Sequence, residues 1–183
     1  MIPRSFCSPD LLAHIIYEKF CKAVPLHRQE KDFKSKGIPL LKATMSNWVC
    51  YAAENWCLPI VQEMKENLLS GNIIHADETV LQVLHEEGRK ATTDSRMWVY
   101  CNGKEADNSI VIFEYQPTRS GEHPARFLKD YSGYMVCDGY DAYNAVTTAV
   151  RCGCWAHTRR KFVEAMPSDK ELQSNGQIPP RLP

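Results

Sequence analysis

The chain of 183 residues contains no apolar run approaching the roughly 18 residues that a membrane-spanning helix needs. Its first ten residues, Met1 to Asp10, lack the long apolar stretch of a secretory signal, so a cytoplasmic location is expected. None of the eight cysteines forms a Cys-x-x-Cys pair, and with no export signal they read as reduced thiols rather than a disulfide framework. Net charge is also absent, with 22 Lys plus Arg against 22 Asp plus Glu. What is present is a 44% hydrophobic and 24% charged composition, which excludes wholesale disorder and fits one ordinary domain plus a small helical module.

The neutral total hides an uneven distribution. Residues 1–50 carry a net +4, residues 51–150 a net −7, and residues 151–162 a net +4 from Arg151, Arg159, Arg160 and Lys161. Two basic zones flanking an acidic middle suit a protein that grips phosphate at its edges and holds metal at its centre; ordinary surface charge is the alternative.

Ser8-Pro9-Asp10 marks a helix start, and Leu12, Ile16 and Phe20 follow at a spacing of four, with Leu11 and Ile15 beside them. A second helix is expected over residues 27–36, ending at Gly37, and a third from Lys42 with Ala43, Met45, Trp48 and Val49. Helix, glycine turn, helix is a helix-turn-helix layout, in which Arg28, Lys42, Thr44, Ser46 and Asn47 would face DNA; a plain helical hairpin is the alternative. Pro59 is expected to open a fourth helix that Gly71 closes.

From Asn72 the periodicity changes. Residues 73–84, 97–101 and 109–115 read as three strands of an antiparallel meander. A helix over 123–131, a strand over 134–138, a helix over 141–150, a strand over 151–155 and a basic helix over 156–165 follow. That order is the α/β, ribonuclease H-like arrangement, here a partial mixed sheet preceded by an all-α helix-turn-helix-like module. The expected division is a helical module at 1–71, an incomplete catalytic core at 72–166 and a disordered, proline-containing tail at 167–183. Trp48, Trp56, Trp98 and Trp155 are expected in the core.

Asp77 lies in an otherwise apolar strand, where an acid is costly unless paired or bound to metal. Asp138 closes a second apolar strand before Gly139. Two such acids on neighbouring strands suit Mg²⁺ (or Mn²⁺), and a pair of ions would support phosphodiester cleavage.

The densest motifs are Pro25-Leu26-His27-Arg28-Gln29-Glu30, Asn47-Trp48-Val49, His75-Ala76-Asp77-Glu78-Thr79, Asp138-Gly139-Tyr140-Asp141-Ala142-Tyr143-Asn144 and Cys154-Trp155-Ala156-His157-Thr158-Arg159-Arg160-Lys161-Phe162. In this order they closely resemble the insertion-sequence-66 family of bacterial DDE transposases, from about Ile2 to about Met166. The resemblance implies that Asp77 and Asp138 are the first and second catalytic acids. It also implies a divalent metal as cofactor, element ends and target DNA as partners, and a homo-oligomer as the working form. The family's third acid, a Glu followed by Arg in a later helix, has no counterpart here, and neither has the family's upstream region. An internal fragment, inactive alone, is therefore expected; a non-catalytic DNA-binding or regulatory remnant is the alternative.

Glu164 lies on the helix after the fifth strand and is the one other acid placed to substitute for the missing one. His157, Arg159, Arg160 and Lys161 form a basic helical turn suited to phosphate. Cys152, Cys154 and His157 supply only part of a closed zinc site, which needs four ligands. His75 shares a strand face with Asp77.

Overall fold

The computed structural model describes residues 2–103, 106 and 108–167. The tail expected to be disordered lies, beyond Pro167, outside the described residues. The chain divides into two compact units at Met64/Lys65.

The first unit is all-helical. In α1 (Pro9–Phe20) the Ser8 hydroxyl accepts the Leu11 amide, with Pro9 at the first helical position. The second helix, α2 (Leu26–Ser35), ends at Gly37, whose φ of 78° turns the chain so that the Ile38 amide reaches the Phe33 carbonyl at 2.9 Å. Glu30 on α2 accepts the Lys42 amide at 2.9 Å, satisfying a donor at the start of α3 (Lys42–Ala52). Leu12, Ile15, Phe33, Leu40, Met45, Trp48 and Ala52 form the core of this unit. Phe20, expected on the apolar stripe, is exposed instead.

Pro59 does not start a separate helix after a break. A π-helical turn (Ala53–Cys57) joins α3 to α4 (Leu58–Ser70), with the Leu58 amide bonded to the Ala53 carbonyl. The wider turn accommodates a residue that has no amide hydrogen to continue the ladder.

The second unit is built on a five-stranded sheet of β1 (Ile73–Gln82), β2 (Asp94–Asn102), β3 (Val111–Gln116), β4 (Tyr134–Cys137) and β5 (Val150–Gly153). The spatial order is β3-β2-β1-β4-β5. The first three strands pair antiparallel, and β1–β4 and β4–β5 are parallel. A mixed sheet preceded by a helical module is the ribonuclease H-like arrangement.

One sheet face is covered. Trp98 and Tyr100 on β2 are fully buried. Tyr100 stacks on Phe127 of α5 (Glu122–Phe127) with centroids 3.7 Å apart. Trp98 meets His123 of α5 edge-on, and also Tyr143 in a 3₁₀ turn (Asp141–Ala145). The opposite face leaves Ile73, Val111, Phe113, Tyr115, Tyr134 and Val150 exposed.

Three sequence expectations change here. The helix expected over 123–131 stops at Phe127, and Asp130 takes a left-handed φ of 66°. The helix expected over 141–150 is only the 3₁₀ turn; Val146, Thr147 and Thr148 are β-branched and extend it poorly. Of the four tryptophans expected in the core, Trp48 and Trp98 are buried, whereas Trp56 is partly exposed and Trp155 is 82% exposed. Trp155 opens α6 (Trp155–Ala165); Phe162 and Val163 in the helix and Met166 just after it are also exposed, so these apolar side chains have no core among the described residues.

Candidate active site

Parallel pairing of β1 with β4 places His75 opposite Val136. Two residues further along the chain come Asp77, within β1, and Asp138, the first residue past the end of β4, so the pairing brings both acids to the same part of the sheet. They share an open cleft of about 890 Å³ with residues of β5 and α6. One oxygen of each carboxylate is held by backbone. Asp77 Oδ1 accepts the Glu78 amide at 2.9 Å, and Asp138 Oδ1 accepts the Tyr140 amide at 2.9 Å. The second of these is the turn that an Asp-Gly pair favours after a strand.

Arg151 on β5 holds the same turn from the other side. Its guanidinium donates to the carbonyls of Asp138 at 2.8 Å and Tyr140 at 3.1 Å, and to the Asn144 side chain. One side of α6 brings His157, Arg160, Lys161 and Glu164 to the cleft. Lys161 donates to Glu164 at 3.1 Å. Burial raises the Cys137 thiol above its usual pKa despite Arg151 nearby, so this cleft cysteine stays protonated at neutral pH. Cys152 lies in β5, and Cys154 lines the cleft.

The residues singled out from sequence separate into groups. Asp77, Asp138, Arg160, Lys161 and Glu164 line one cleft. Arg159 is exposed on α6 outside its lining. Arg28, Lys42 and Asn47 are exposed on the helical unit, and Thr44 there is partly covered. His75 is exposed on the Asp77 side of β1.

The burial argument made for Asp77 belongs to its neighbour. Asp77 stands on the open sheet face and is exposed. Glu78 points to the covered face, with its side chain only 2% exposed. Its Oε1 accepts Arg119 Nε at 2.7 Å and also pairs with the Arg119 terminal nitrogen. Its Oε2 accepts the Tyr143 hydroxyl at 2.6 Å. From sequence, Glu78 and Tyr143 stand only inside the quoted motifs, and no role is assigned to them or to Arg119. The available signal was strand parity, since Glu78 shares the face of Ile74 and Ala76, where an acid requires partners.

The donor set suits a hard divalent cation. Asp77 and Asp138, each with one carboxylate oxygen held by backbone, border an open cleft, and carboxylate oxygens with room for water are the donors Mg²⁺ prefers. Among the described residues no group of three His, Cys, Asp or Glu comes together to hold a metal ion. Asp77 and Asp138 therefore form no closed cage with a third such group among the described residues.

The model of the Transposase IS66 family matches residues 4–178. The uncharacterized protein y4hP of Sinorhizobium fredii is 31% identical over 173 residues, covering 88% of this chain and 31% of that protein. Protein y4qI of the same organism is 29% identical over 178 residues, covering 90% of this chain and 33% of its own length. The chain thus spans about a third of the length of the curated relatives it matches. No solved structure matches it. With the family match running over nearly the whole sequence, the chain belongs to the IS66 family of transposases.

Proposed function

We propose that this chain carries the first two acids, Asp77 and Asp138, of a DDE centre that cuts and joins DNA during transposition of a bacterial insertion sequence. The observation that carries the reading is the parallel β1–β4 register, which brings two acids 61 residues apart to one end of the sheet facing one cleft. Their free oxygens would hold Mg²⁺ or Mn²⁺. Such ions, when bound, polarise phosphoryl oxygens and lower the pKa of an attacking hydroxyl. Arg160 and Lys161 border the same cleft and supply positive charge for the DNA backbone. Arg28, Lys42, Thr44 and Asn47 on the helical unit, and Arg159 on α6, are proposed as further DNA contacts. The full enzyme would act as a homo-oligomer on element ends and target DNA.

Two carboxylates without a third in reach among the described residues favour weak metal binding and no strand transfer by this chain alone. Glu164 lines the cleft but is paired with Lys161 and does not complete a three-acid group. The same observation supports the second reading, a DNA-binding remnant with a regulatory role.

The test is a salt-dependent DNA-binding titration beside a Mn²⁺-dependent nicking and strand-transfer assay. Binding should weaken steeply with salt, and Arg160→Ala should reduce the salt slope by about one phosphate contact. Asp77→Asn should leave binding intact and remove whatever cleavage exists. Cleavage surviving in Asp77→Asn would sink the catalytic assignment, efficient joining by the isolated chain would sink its expected inactivity, and a slope unchanged in Arg160→Ala would remove that contact.

A further inference from the structure

We propose that Glu78, Arg119 and Tyr143 form a positioning network that sets where the Asp138 carboxylate stands relative to Asp77. The proposal rests on the reading of those two aspartates as the metal-holding pair, and it goes beyond that reading by assigning work to three residues that are not themselves ligands, of which Glu78 and Arg119 also border the cleft.

The path is continuous. Glu78 is peptide-bonded to Asp77, and its amide already holds Asp77 Oδ1. On the covered face, its carboxylate is engaged at both oxygens, by Arg119 on one and the Tyr143 hydroxyl on the other. Arg119 then reaches the second acid's turn in two ways. Its guanidinium lies 3.6 Å over the Tyr140 ring, and its carbonyl accepts the Tyr140 hydroxyl at 2.9 Å. Tyr140 in turn donates its amide to Asp138 Oδ1. Arg151 closes the turn from the opposite side through the carbonyls of Asp138 and Tyr140.

Burial and packing make this more than a surface ion pair. A carboxylate 2% exposed is tolerated only when its charge and lone pairs are satisfied, so removing one partner is felt by the others. Burial, and then the bond to the Glu78 carboxylate, push the Tyr143 phenol far above its usual pKa, so it remains a donor. The junction is also sterically closed. A Cβ at Gly121, two residues after Arg119, would stand 2.7 Å from the Ala142 carbonyl, inside the turn that carries Tyr143. Glu78 is not itself a candidate ligand, because both its oxygens are used on the face of β1 opposite the Asp77 side chain.

The experiment uses the full chain with Glu78→Gln, Arg119→Ala and Arg119→Lys, each first checked for a native near-ultraviolet spectrum. The primary readout is amide hydrogen exchange at Tyr140, with β2 amides as the reference for global loosening. In Glu78→Gln and Arg119→Ala the Tyr140 amide should exchange about tenfold faster relative to β2. Arg119→Lys keeps the charge but loses the flat fork and should fall between wild type and Arg119→Ala. A Tyr140 amide that stays protected, or loosens only in step with β2, would overturn the proposal. Mn²⁺ binding, followed by water proton relaxation, is the second readout. Affinity should drop about tenfold in Glu78→Gln, as for residues that orient a ligand without touching the metal. Wild-type chain that binds no Mn²⁺ while Tyr140 responds would leave the network standing and remove the metal reading. Wild-type chain that binds Mn²⁺ with the affinity of Glu78→Gln would overturn the positioning role.

Discussion

Asp77 and Glu78 are neighbours on β1, yet they belong to opposite faces of the sheet, and those faces differ in every physical respect. On the Glu78 face, Trp98, Tyr100 and Met135 are fully buried under α5 and the 3₁₀ turn. The polar atoms of Glu78 there are fully engaged. On the Asp77 face, Phe113 is 65% exposed and Tyr134 and Val150 are more than half exposed. The covered face carries the stability of the unit. The open face carries Asp77, exposed, with one carboxylate oxygen held by the Glu78 amide. A strand with a period of two can serve both tasks because consecutive side chains never compete for the same side.

The sharpest way to break this contrast is truncation on the covered face. Trp98→Ala removes a fully buried ring that touches His123 and Tyr143. It should cost about 3–5 kcal/mol in a denaturant titration of the sheet unit. A cost below about 1 kcal/mol would mean the covered face is not the core.

A smaller effect is expected where the open face does satisfy a charge. Glu86, in the turn between β1 and β2, accepts the Tyr115 hydroxyl, Ser95 Oγ at 2.8 Å and Arg89 at 3.0 Å. The Tyr115 bond is the main cause holding this carboxyl below its usual pKa; burial opposes it, and Ser95 and Arg89 assist. A depressed folded-state pKa means that the contribution is fully present above the unfolded carboxylate value of about 4.3 and is lost as pH falls through the folded value. Thermal melts of wild type and Glu86→Gln should therefore differ at pH 7 and converge towards pH 3. A difference that persists at pH 3 would remove the carboxylate as its cause.

The smallest change is expected from Phe113→Ser. This residue stands on the same face as Asp77, paired through Val99 on β2. Its stability cost should stay within about 0.5 kcal/mol. A cost near that of Trp98→Ala would show that the open face is covered in solution.

Much of the local structure was legible in advance because its causes are local. Ser8 and Pro9 start α1, and Gly37 ends the α2 turn, by rules that span four or five residues. The three-strand meander and the two aspartates at their strand positions were likewise readable from alternation and turn residues. The Glu78 network was not. Its members are separated by 41 and 65 residues, and no periodicity links Arg119 or Tyr143 to β1. Trp155 misled for the opposite reason, since a large aromatic closing the strand expected over 151–155 implies a core, whereas it opens α6 and is exposed.

The sequence by itself determined the caps, the strand alternation and the placing of Asp77 within one strand and Asp138 just past another, because these depend on neighbours within one element. Only the tertiary structure decided which acid is buried and which is free. That choice follows from strand parity and from α5 and the 3₁₀ turn covering one sheet face, which together give Glu78 buried partners in Arg119 and Tyr143 and leave Asp77 exposed.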